Sequence, residues 1–318
     1  MPYNFALIGA GGFVAPRHLR AIRDTRNALV AAIDPHDAAG VLDQYSFDVR
    51  YFTEIERFDR HIEKLRRAGD QYRAHYVSIC SPNYLHDAHV RLALRAGADA
   101  LCEKPLVINP WNLDALEDIE RETGRRVFTV LQLRLHPALL DLRERLSRGP
   151  ERTHDVELTY VTARGPWYGV SWKGDEQRSG GIATNIGIHF FDMLLWLFGP
   201  VTHIEVHLRE PARMSGLLQL QCATVRWFLS TSPDDLPCPA EAGKASTYRS
   251  ITVDGENIEF SGGFVDLHTR IYQEVLAGRG FGIADARPSI ELTHRIRTCP
   301  LTAPGELAHP GRPDSRLP

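Results

Sequence analysis

The sequence predicts an α/β protein in two parts. A doubly wound parallel sheet is expected first, because strand and helix patterns alternate from residue 4 to residue 131. An α+β domain with a large, mostly antiparallel open sheet is expected next, because strand-like runs after residue 200 follow one another with short turns. We therefore expect two domains, residues 1–132 and 133–318, with a Pro- and Gly-rich tail that frays from about residue 300.

The composition narrows the possible function classes. Of the 318 residues 43% are hydrophobic and 24% are charged, and the formal net charge is −3 with both signs interspersed. We therefore expect no nucleic-acid partner and no membrane partner. No signal-peptide pattern opens the chain, and the longest apolar run, within 186–198, is too short to span a bilayer. Five scattered cysteines without metal-binding spacing predict a reduced, cytoplasmic protein with no disulfide and no metal site.

A glycine-rich turn joins the first strand pattern to the first helix pattern. The strand 4–8 is followed by GAGGFV (9–14) and then by a helix at 16–25. Such a unit can hold a pyrophosphate with backbone N–H groups and the helix N-terminus. The third glycine of the usual G-x-G-x-x-G pattern is replaced, which still allows the turn. The pattern predicts a Rossmann-type dinucleotide-binding domain, whose cofactor contacts here are Gly9, Gly11, Gly12 and Phe13.

An acidic residue ends the second strand pattern, 29–33. It is Asp34, which lies 23 residues after Gly11. A carboxylate there can accept hydrogen bonds from the ribose hydroxyls of the adenosine, and it repels a 2′-phosphate. The position therefore favours NAD over NADP. The alternative is that Asp34 serves only as a turn residue before a proline.

Polar residues also follow the later strands of the first part. Helix patterns run over 55–68, 85–96 and 112–123, and strand patterns over 75–81, 99–101 and 127–131. Ligands of parallel α/β sheets bind where the strands end. We therefore expect one crevice to collect further cofactor contacts, namely Ser81, Pro82, Asn83, Glu103, Lys104 and Gln132.

Lys104 has the strongest chemical implication among these residues. A lysine at the end of a buried strand beside a nicotinamide is desolvated and lies near a cationic ring, and both effects lower its pKa. Such a lysine can shuttle a proton near neutral pH. The alternative is a structural ion pair between Lys104 and Glu103.

A second polar pattern lies on an apolar helix that follows Gly180 and Gly181. Three polar residues and a tryptophan fall at i, i+4, i+7 and i+11, which places them in one stripe of an α-helix. Burying the polar ones requires a partner for each, so the stripe is either a functional site or a hydrogen-bonded structural feature. The stripe consists of Asn185, His189, Asp192 and Trp196.

The second part of the chain continues with strand patterns and two closing helices. A helix is expected at 137–148, a strand at 155–163, and an aromatic and cationic loop at 164–174. An open sheet with helices on one face leaves the other face free for subunits to pack, so we expect a homo-oligomer, a tetramer or a dimer. The further strands are expected at 203–209, 217–223, 225–230, 248–253 and 257–260, and the helices at 268–277 and 285–297.

Three elements together carry a family resemblance. They are the G-x-G turn at 9–11, the Glu-Lys-Pro sequence at 103–105, and Gly-Gly followed by the His-x-x-Asp stripe at 180–192. With them the chain resembles the Gfo/Idh/MocA family of sugar and cyclitol dehydrogenases, over almost its whole length to about residue 298. Shorter motifs, among them SPNYLH (81–86) and RGPWY (164–168), resemble one branch, the UDP-N-acetylglucosaminuronate 3-dehydrogenases.

The resemblance implies an NAD-dependent enzyme. It would oxidise the C3 hydroxyl of UDP-N-acetylglucosaminuronic acid, in the synthesis of diacetamido-uronic acids for bacterial surface polysaccharides. Lys104 and His189 match the catalytic residues, and which of them takes the hydroxyl proton stays open. Many relatives carry aspartate where this chain has Asn185, and an amide cannot exchange that proton, so Asn185 is expected to orient the sugar or His189. His86 in the SPNYLH motif is a further expected cofactor contact.

Such a substrate also needs cations, because it carries a diphosphate and a carboxylate. The expected substrate-binding residues are Lys104, Arg134, Arg164, Trp167, Tyr168, Lys173, Asn185 and His189, with the two aromatic rings available for stacking. Two other functions stay open, a dehydrogenase of another sugar or inositol and an NAD-binding regulator without turnover. The presence of both Lys104 and His189 speaks against a regulator. The route by which NADH is reoxidised, by exchange with NAD or by a 2-oxo acid, also stays open.

Overall fold

The computed structural model describes residues 2–45, 48–150, 152–237, 247–258, 260, 264 and 266–311. In the first part of the chain the elements are β1 (Asn4–Ile8), α1 (Ala15–Asp24), β2 (Ala28–Ile33), α2 (Ala39–Leu42), β3 (Arg50–Phe52), α3 (Ile55–Ala68), β4 (Tyr76–Ile79), α4 (His86–Arg95), β5 (Asp99–Cys102), α5 (Trp111–Thr123) and β6 (Val127–Thr129).

The elements of the second part follow in the same way. They are α6 (Pro137–Arg148), β7 (His154–Thr162), α7 (Trp167–Val170), α8 (Glu176–Ser179), α9 (Ile188–Phe198), β8 (Val201–Arg209), β9 (Arg213–Leu220), β10 (Ala223–Ser230), β11 (Thr247–Val253), β12 (Glu256–Asn257), α10 (Leu267–Leu276) and α11 (Ile283–Thr298). Every predicted strand and helix has a counterpart among them. The short elements α2, β3, α7 and α8 were not predicted, and α7 lies within the predicted loop 164–174. Three or four residues carry too little hydrophobic periodicity to be recognised.

The chain divides into two compact units. The first unit comprises Met1–Leu135 and Val265–Arg287, and the second comprises His136–Phe264 and Pro288–Pro318. The predicted boundary places residues 265–287 in the second domain, and here the structure differs. The reason is that α10 buries its apolar face in the core of the first unit, through a contact between segments far apart in the chain.

The first unit contains a six-stranded parallel sheet in the order β3-β2-β1-β4-β5-β6. This is the order of a Rossmann fold. Phe5–Ile8 of β1 and all four residues of β4 are buried, as expected for strands that are covered on both faces. The predicted doubly wound sheet is therefore confirmed, and its strand ends lie along one edge.

The core of the first unit unites α1 and α10 with the sheet. Leu19 and Ile22 of α1 and Ile271 and Tyr272 of α10 belong to the same buried cluster as Phe5 of β1. The rings of Phe5 and Tyr272 lie 5.4 Å apart. At about 25 cal/mol per Å² of apolar surface removed from water, burial of such side chains is the main favourable term in the unit's stability.

The second unit contains a six-stranded sheet in the order β12-β11-β7-β10-β9-β8. Among the described strands of this sheet only β7 and β10 pair in parallel, and the other pairs are antiparallel. The sheet is open, since β12 and β8 form its two edges. The predicted large, mostly antiparallel sheet is therefore confirmed.

Both faces of this sheet carry contacts within the described part of the chain. On one face the Trp227 ring meets the Phe191 ring of α9 at 5.3 Å. On the other face the Phe228 ring stacks with His309 at 5.7 Å. His309 is buried, and Leu301 forms a bridge with Val206. The tail was predicted to fray from residue 300, but Leu301, Thr302 and His309 have defined contacts on the sheet. The backbone of Leu301 and Thr302 pairs with Val206, and the His309 ring is buried against Phe228.

One helical stretch of the described residues, Glu176–Phe198, is long and apolar enough to cross a membrane by length and composition. The apolar run within 186–198 was predicted to be too short to span a bilayer. The helical stretch in the structure is longer, because α8 and a π-helical turn precede α9. In its most apolar window, 67% of the residues are buried within the chain. This burial is the pattern of a core helix, and the expected absence of a membrane partner stays a prediction.

Gly216 of β9 offers a test of packing in the second unit. A Cβ atom at this position would overlap the backbone oxygen of Glu205 on β8 and lie 2.8 Å from Cζ2 of buried Trp227. Because backbone and tryptophan cannot both move away, we expect Gly216→Ala to lower the free energy of unfolding by about 1–3 kcal/mol. Gly169→Ala is the control, since a Cβ there has no heavy atom within 4 Å. Equal denaturation midpoints for the two variants would contradict the prediction.

Candidate functional site

The glycine turn of the first unit lies directly against the end of β4. Gly9 has φ +91°, and a Cβ atom there would lie 2.7 Å from the backbone carbon of Cys80 and the nitrogen of Ser81. A Cβ at Gly12 would lie 2.9 Å from the oxygen of Cys80. Only residues without side chains allow this approach, so the turn and the 80–81 backbone form one edge of the predicted cofactor crevice. Phe13 in the same turn is 81% exposed.

Asp34 is buried at the end of β2 and shapes the same turn. Its Oδ2 accepts a hydrogen bond from the Gly11 N–H at 2.9 Å, and Oδ1 accepts one from the His36 N–H at 3.0 Å. Tyr51 of β3 fixes the segment that follows, since its hydroxyl donates to the His36 oxygen at 2.5 Å and accepts from the Ala38 N–H. Each carboxylate oxygen keeps a second lone pair, so ribose hydroxyls can still bind to Asp34.

The loops after β4 and β5 are linked by His86. Its Nε2 lies 2.8 Å from the Ser81 oxygen and its Nδ1 lies 2.6 Å from the Pro105 oxygen. The ring is buried, burial lowers its pKa, and the two carbonyls act in the opposite direction. The predicted cofactor contact of His86 stays a prediction, and both ring nitrogens contact backbone oxygens of the two loops. Asn83 is buried beside this link, after Pro82.

Gln132 follows β6 and carries a buried polar atom that a bound molecule can satisfy. Its Oε1 is buried and has no hydrogen-bond donor among the described residues. A buried acceptor without a donor is costly, so a bound N–H or O–H group would stabilise this edge. A nicotinamide carboxamide or a ribose hydroxyl offers such a group. Together with the glycine turn, this buried acceptor fits a dinucleotide.

Arg134, two residues further on, is engaged within the first unit. Its guanidinium pairs with Asp285 at 3.2 Å, donates to the Asp285 backbone oxygen and lies 5.3 Å from the Phe281 ring centre. Only 10% of its side chain is exposed. Its predicted substrate contact stays a prediction, and these interactions assign it at least a structural role.

Glu103 and Lys104 end β5. Lys104 is half-buried, whereas Glu103 is buried and accepts hydrogen bonds from two imidazoles, those of His18 and His268. These are the residues that sequence reasoning missed. His18 could have been noticed, because it lies on the apolar face of α1 beside Ala15 and Leu19. His268 gave no signal, since nothing local places α10 in the first unit.

In the second unit, the loop 164–174 brings two cations together. Burial lowers the pKa of Lys173, and the nearby Arg164 charge lowers it further. The Lys173 ammonium lies 5.4 Å and 5.7 Å from the ring centres of Trp167 and Trp172. Among the described residues neither cation has a carboxylate partner. Two neighbouring like charges favour the approach of an anion, and the predicted substrate contacts of Arg164 and Lys173 stay predictions.

Asn185 is tied to the same loop. Its Nδ2 donates to the Tyr168 hydroxyl at 3.0 Å, and burial raises the pKa of Tyr168. Residues Ala183–Gly187 form a π-helical turn, which the α-helical spacing of the stripe did not predict. A π-turn inserts one residue into the helix and is common at functional sites. Therefore Asn185 and His189 are not related by regular α-helical spacing.

The other members of the polar stripe, His189, Asp192 and Trp196, differ in burial and in contacts. His189 is half-buried at the start of α9, and Asp192 is buried one turn later. Trp196, the last member, has the Arg143 guanidinium 4.3 Å above its ring centre. Lys104 lies in the first unit and His189 in the second, and each catalytic assignment stays a prediction.

Both parts of the chain match models of one known protein family. The oxidoreductase family model for the NAD-binding Rossmann fold of Gfo/Idh/MocA proteins matches residues 3–131, and the model for their C-terminal alpha/beta domain matches residues 152–235. Among curated proteins, an inositol 2-dehydrogenase of Rhizobium meliloti is 28% identical over 63% of this chain. That match spans only 56% of the relative's own length.

Solved structures give a fuller match. The WlbA (WbpB) dehydrogenase of Thermus thermophilus, in complex with NAD and alpha-ketoglutarate, is 52% identical with a TM-score of 0.92, covering 97% of this chain and 99% of that one. The same dehydrogenase in complex with NAD and UDP-GlcNAcA matches at 51% identity. The WlbA dehydrogenase of Bordetella pertussis shares the fold, with a TM-score of 0.75 at 20% identity. The chain therefore belongs to the Gfo/Idh/MocA family of NAD-binding oxidoreductases.

Proposed function

We propose that this protein uses NAD to oxidise the C3 hydroxyl of UDP-N-acetylglucosaminuronic acid to the 3-keto sugar. One observation carries the proposal most directly, the 51% identity over 97% of the chain to a dehydrogenase solved with NAD and UDP-GlcNAcA. The cations of the 164–174 loop, which have no carboxylate partner in the part of the chain that the structure describes, support it independently, because the substrate carries a diphosphate and a carboxylate.

The chemistry requires one hydride acceptor and one base. NAD, when bound, takes the hydride that leaves C3, and the hydroxyl proton must pass to a side chain as the C–O double bond forms. Lys104 and His189 are the two proposed proton carriers. Asn185, already oriented by Tyr168, holds the sugar or His189 and exchanges no proton.

Substrate recognition is proposed to rest on charge and stacking. Arg164 and Lys173 neutralise the diphosphate and carboxylate of the substrate. Binding of these anions also offsets the repulsion between the two cations, which adds to the affinity for the substrate. Half of Trp167 is exposed, so its ring is accessible to a planar base or a sugar face. A dehydrogenase of an uncharged polyol has no need for this pair of cations.

For the return of NADH to NAD we propose a 2-oxo acid as second substrate. The relative solved with NAD and alpha-ketoglutarate supports this choice over simple cofactor exchange. In that step the keto carbon takes a hydride and its oxygen takes a proton, giving a 2-hydroxy acid. We further propose that the enzyme works in the cytoplasm as a homo-oligomer. Its 3-keto product suits a later amino-transfer step towards a diacetamido-uronic acid of surface polysaccharide.

Turnover is the first test. We expect NADH or a 2-hydroxy acid to form when the protein is mixed with NAD, UDP-N-acetylglucosaminuronic acid and a 2-oxo acid. Lys104→Ala should lower kcat by about 10²- to 10⁴-fold and leave NAD binding intact, because it removes a positioned proton carrier. Single-turnover absorbance and product analysis measure both, with exposed Lys64→Ala as the control. No product with the wild-type protein would disprove the proposed substrate.

The cation pair allows a separate test. Arg164→Ala and Lys173→Ala should each raise KM for the UDP-sugar by about 10- to 100-fold, because a charged hydrogen bond contributes roughly 1.5–3 kcal/mol. The Kd for NAD should stay unchanged. Arg178→Ala is the matched control, since that exposed cation of α8 already pairs with Asp175. If the two variants behave like the control, the loop does not bind the substrate anion.

Cofactor preference tests Asp34. Asp34→Asn keeps the shape of the side chain and removes the charge that repels a 2′-phosphate, so the preference for NAD over NADP should fall by about 10-fold or more. Initial rates with the two cofactors give the ratio. Asp37→Asn, an exposed carboxylate in the same segment, should leave the ratio unchanged. An unchanged ratio in Asp34→Asn would mean that another residue selects the cofactor.

A further inference from the structure

A buried carboxylate lies directly before Lys104. The Glu103 side chain is 7% exposed, and its Oε1 accepts hydrogen bonds from Nε2 of His18 at 3.0 Å and Nε2 of His268 at 2.9 Å. Both rings are buried. His18 belongs to α1 and His268 to α10, so helices that are far apart in sequence meet at the residue that ends β5.

The hydrogen bonds around Glu103 have a defined direction. An ionised carboxylate only accepts, so both imidazoles must carry their proton on Nε2. In the neutral form of His18, Nδ1 is then an acceptor, and the Tyr272 hydroxyl donates to it at 2.8 Å. Tyr272 in turn lies 2.6 Å from the Ser78 hydroxyl, which donates to it. Each donor in this network therefore points towards Glu103: Ser78 donates to Tyr272, Tyr272 donates to His18, and His18 donates to Glu103.

The charge of Glu103 depends on these rings. Burial raises the pKa of the carboxyl, but the hydrogen bonds from His18 and His268 outweigh burial and hold the pKa well below its usual range. Burial lowers the pKa of His18, which favours its neutral form. An ionised carboxylate in a core is tolerated only when donors surround it, so removing one ring leaves a buried charge with too few partners.

The second carboxylate oxygen faces the next residue. Oε2 of Glu103 lies 3.3 Å from the backbone N–H of Lys104. The orientation of the carboxylate, which the two imidazoles determine through Oε1, therefore influences the backbone from which the Lys104 side chain extends. A shift of about 1 Å in a reacting group can cost about 100-fold in rate.

We propose that His18 and His268 are positioning residues that act through the Glu103 carboxylate to hold the Glu-Lys-Pro segment and aim Lys104. This inference rests on the proposed role of Lys104. It changes the role of Glu103, which sequence reasoning assigned to direct cofactor contact. The carboxylate is turned into the core towards α1 and α10, so its contribution to catalysis is to fix the lysine next to it.

The side chains of His18, Glu103 and His268 also carry atoms of the kinds that ligate metal ions. One oxygen and two ring nitrogens of His18, Glu103 and His268 lie within 4.8 Å of one another. Both nitrogen–oxygen distances have hydrogen-bond length, and the Tyr272 contact continues the network behind His18. We therefore interpret the cluster as hydrogen-bonded imidazoles, and elemental analysis of the purified protein tests it. A stoichiometric metal that is lost in His268→Leu would overturn the positioning proposal.

The decisive experiment compares His268→Leu with His268→Gln. Leucine removes the donor, whereas the glutamine amide can place an N–H near the position of Nε2. We expect His268→Leu to lower kcat by about 10- to 100-fold with KM and the Kd for NAD changed less than about 3-fold, and His268→Gln to recover most of the loss. His75→Leu is the control, because that ring contacts Asn4 at the opposite ends of the strands. Equal kcat in His268→Leu and wild type would overturn the proposal.

The pH dependence separates positioning from simple loss of stability. The titratable groups around Glu103 are His18 with Arg17 beside it, Cys80, His86, Cys102, Lys104, His268 and Tyr272. Because the pKa of Glu103 is lowered, its carboxyl stays ionised and hydrogen-bonded to the two rings until the pH falls through that pKa. Removing a donor raises this pKa, so the acid limb of kcat in His268→Leu should move to higher pH. An acid limb identical to that of wild type would contradict the proposal.

Hydrogen exchange provides a readout that needs no substrate. Amide exchange in the peptide covering residues 102–108 should accelerate by about 10-fold in His268→Leu, with little change elsewhere in the first unit. His268→Gln should restore slow exchange. If wild type fails to oxidise the UDP-sugar but this exchange pattern is found, the proposed function fails and the positioning network stands. If exchange is unchanged, the network does not hold the segment.

Discussion

The buried charge of Glu103 is the constraint on which the first unit depends. An ionised carboxylate cannot lie in an apolar core without donors, and beside the Lys104 N–H two imidazoles supply them. One donor comes from α1 and the other from α10, which returns from the far end of the chain. The same helix buries Ile271 and Tyr272 in the core. Polar and apolar contacts thus act together to complete the Rossmann unit with residues 265–287.

Much of the fold could be predicted because its determinants are local. The strands of the first unit are short buried apolar runs separated by helical periodicity, and the second sheet follows from strand patterns joined by short turns. The division of the chain could not be predicted, because α10 looks like any amphipathic helix until its partner is known. The π-turn at Ala183–Gly187 was equally hidden, since its sequence satisfies regular α-helical spacing. Long-range packing decides both features.

For the candidate site, sequence reasoning located residues better than it assigned their roles. The strand-end rule placed Asp34, Glu103 and Gln132 along the edge of the parallel sheet, where the structure has them. Their partners follow from three-dimensional contacts that the rule does not contain. Asp34 supports the glycine turn, Glu103 accepts from two imidazoles, and Gln132 has a buried acceptor without a donor among the described residues. The first two side chains are engaged by donors of the protein, whereas the third leaves room for the proposed ligand contact.

The second unit uses the opposite electrostatic arrangement. In the core of the first unit a buried anion is satisfied by donors of the protein itself, so it contributes order and needs no ligand. In the 164–174 loop two cations are held close, and Trp167 and Trp172 provide the faces beneath Lys173. Aromatic faces stabilise an ammonium but do not neutralise it. An anion bound beside the loop would reduce the repulsion between the two cations, which supports the proposal of an acidic nucleotide sugar over a neutral polyol.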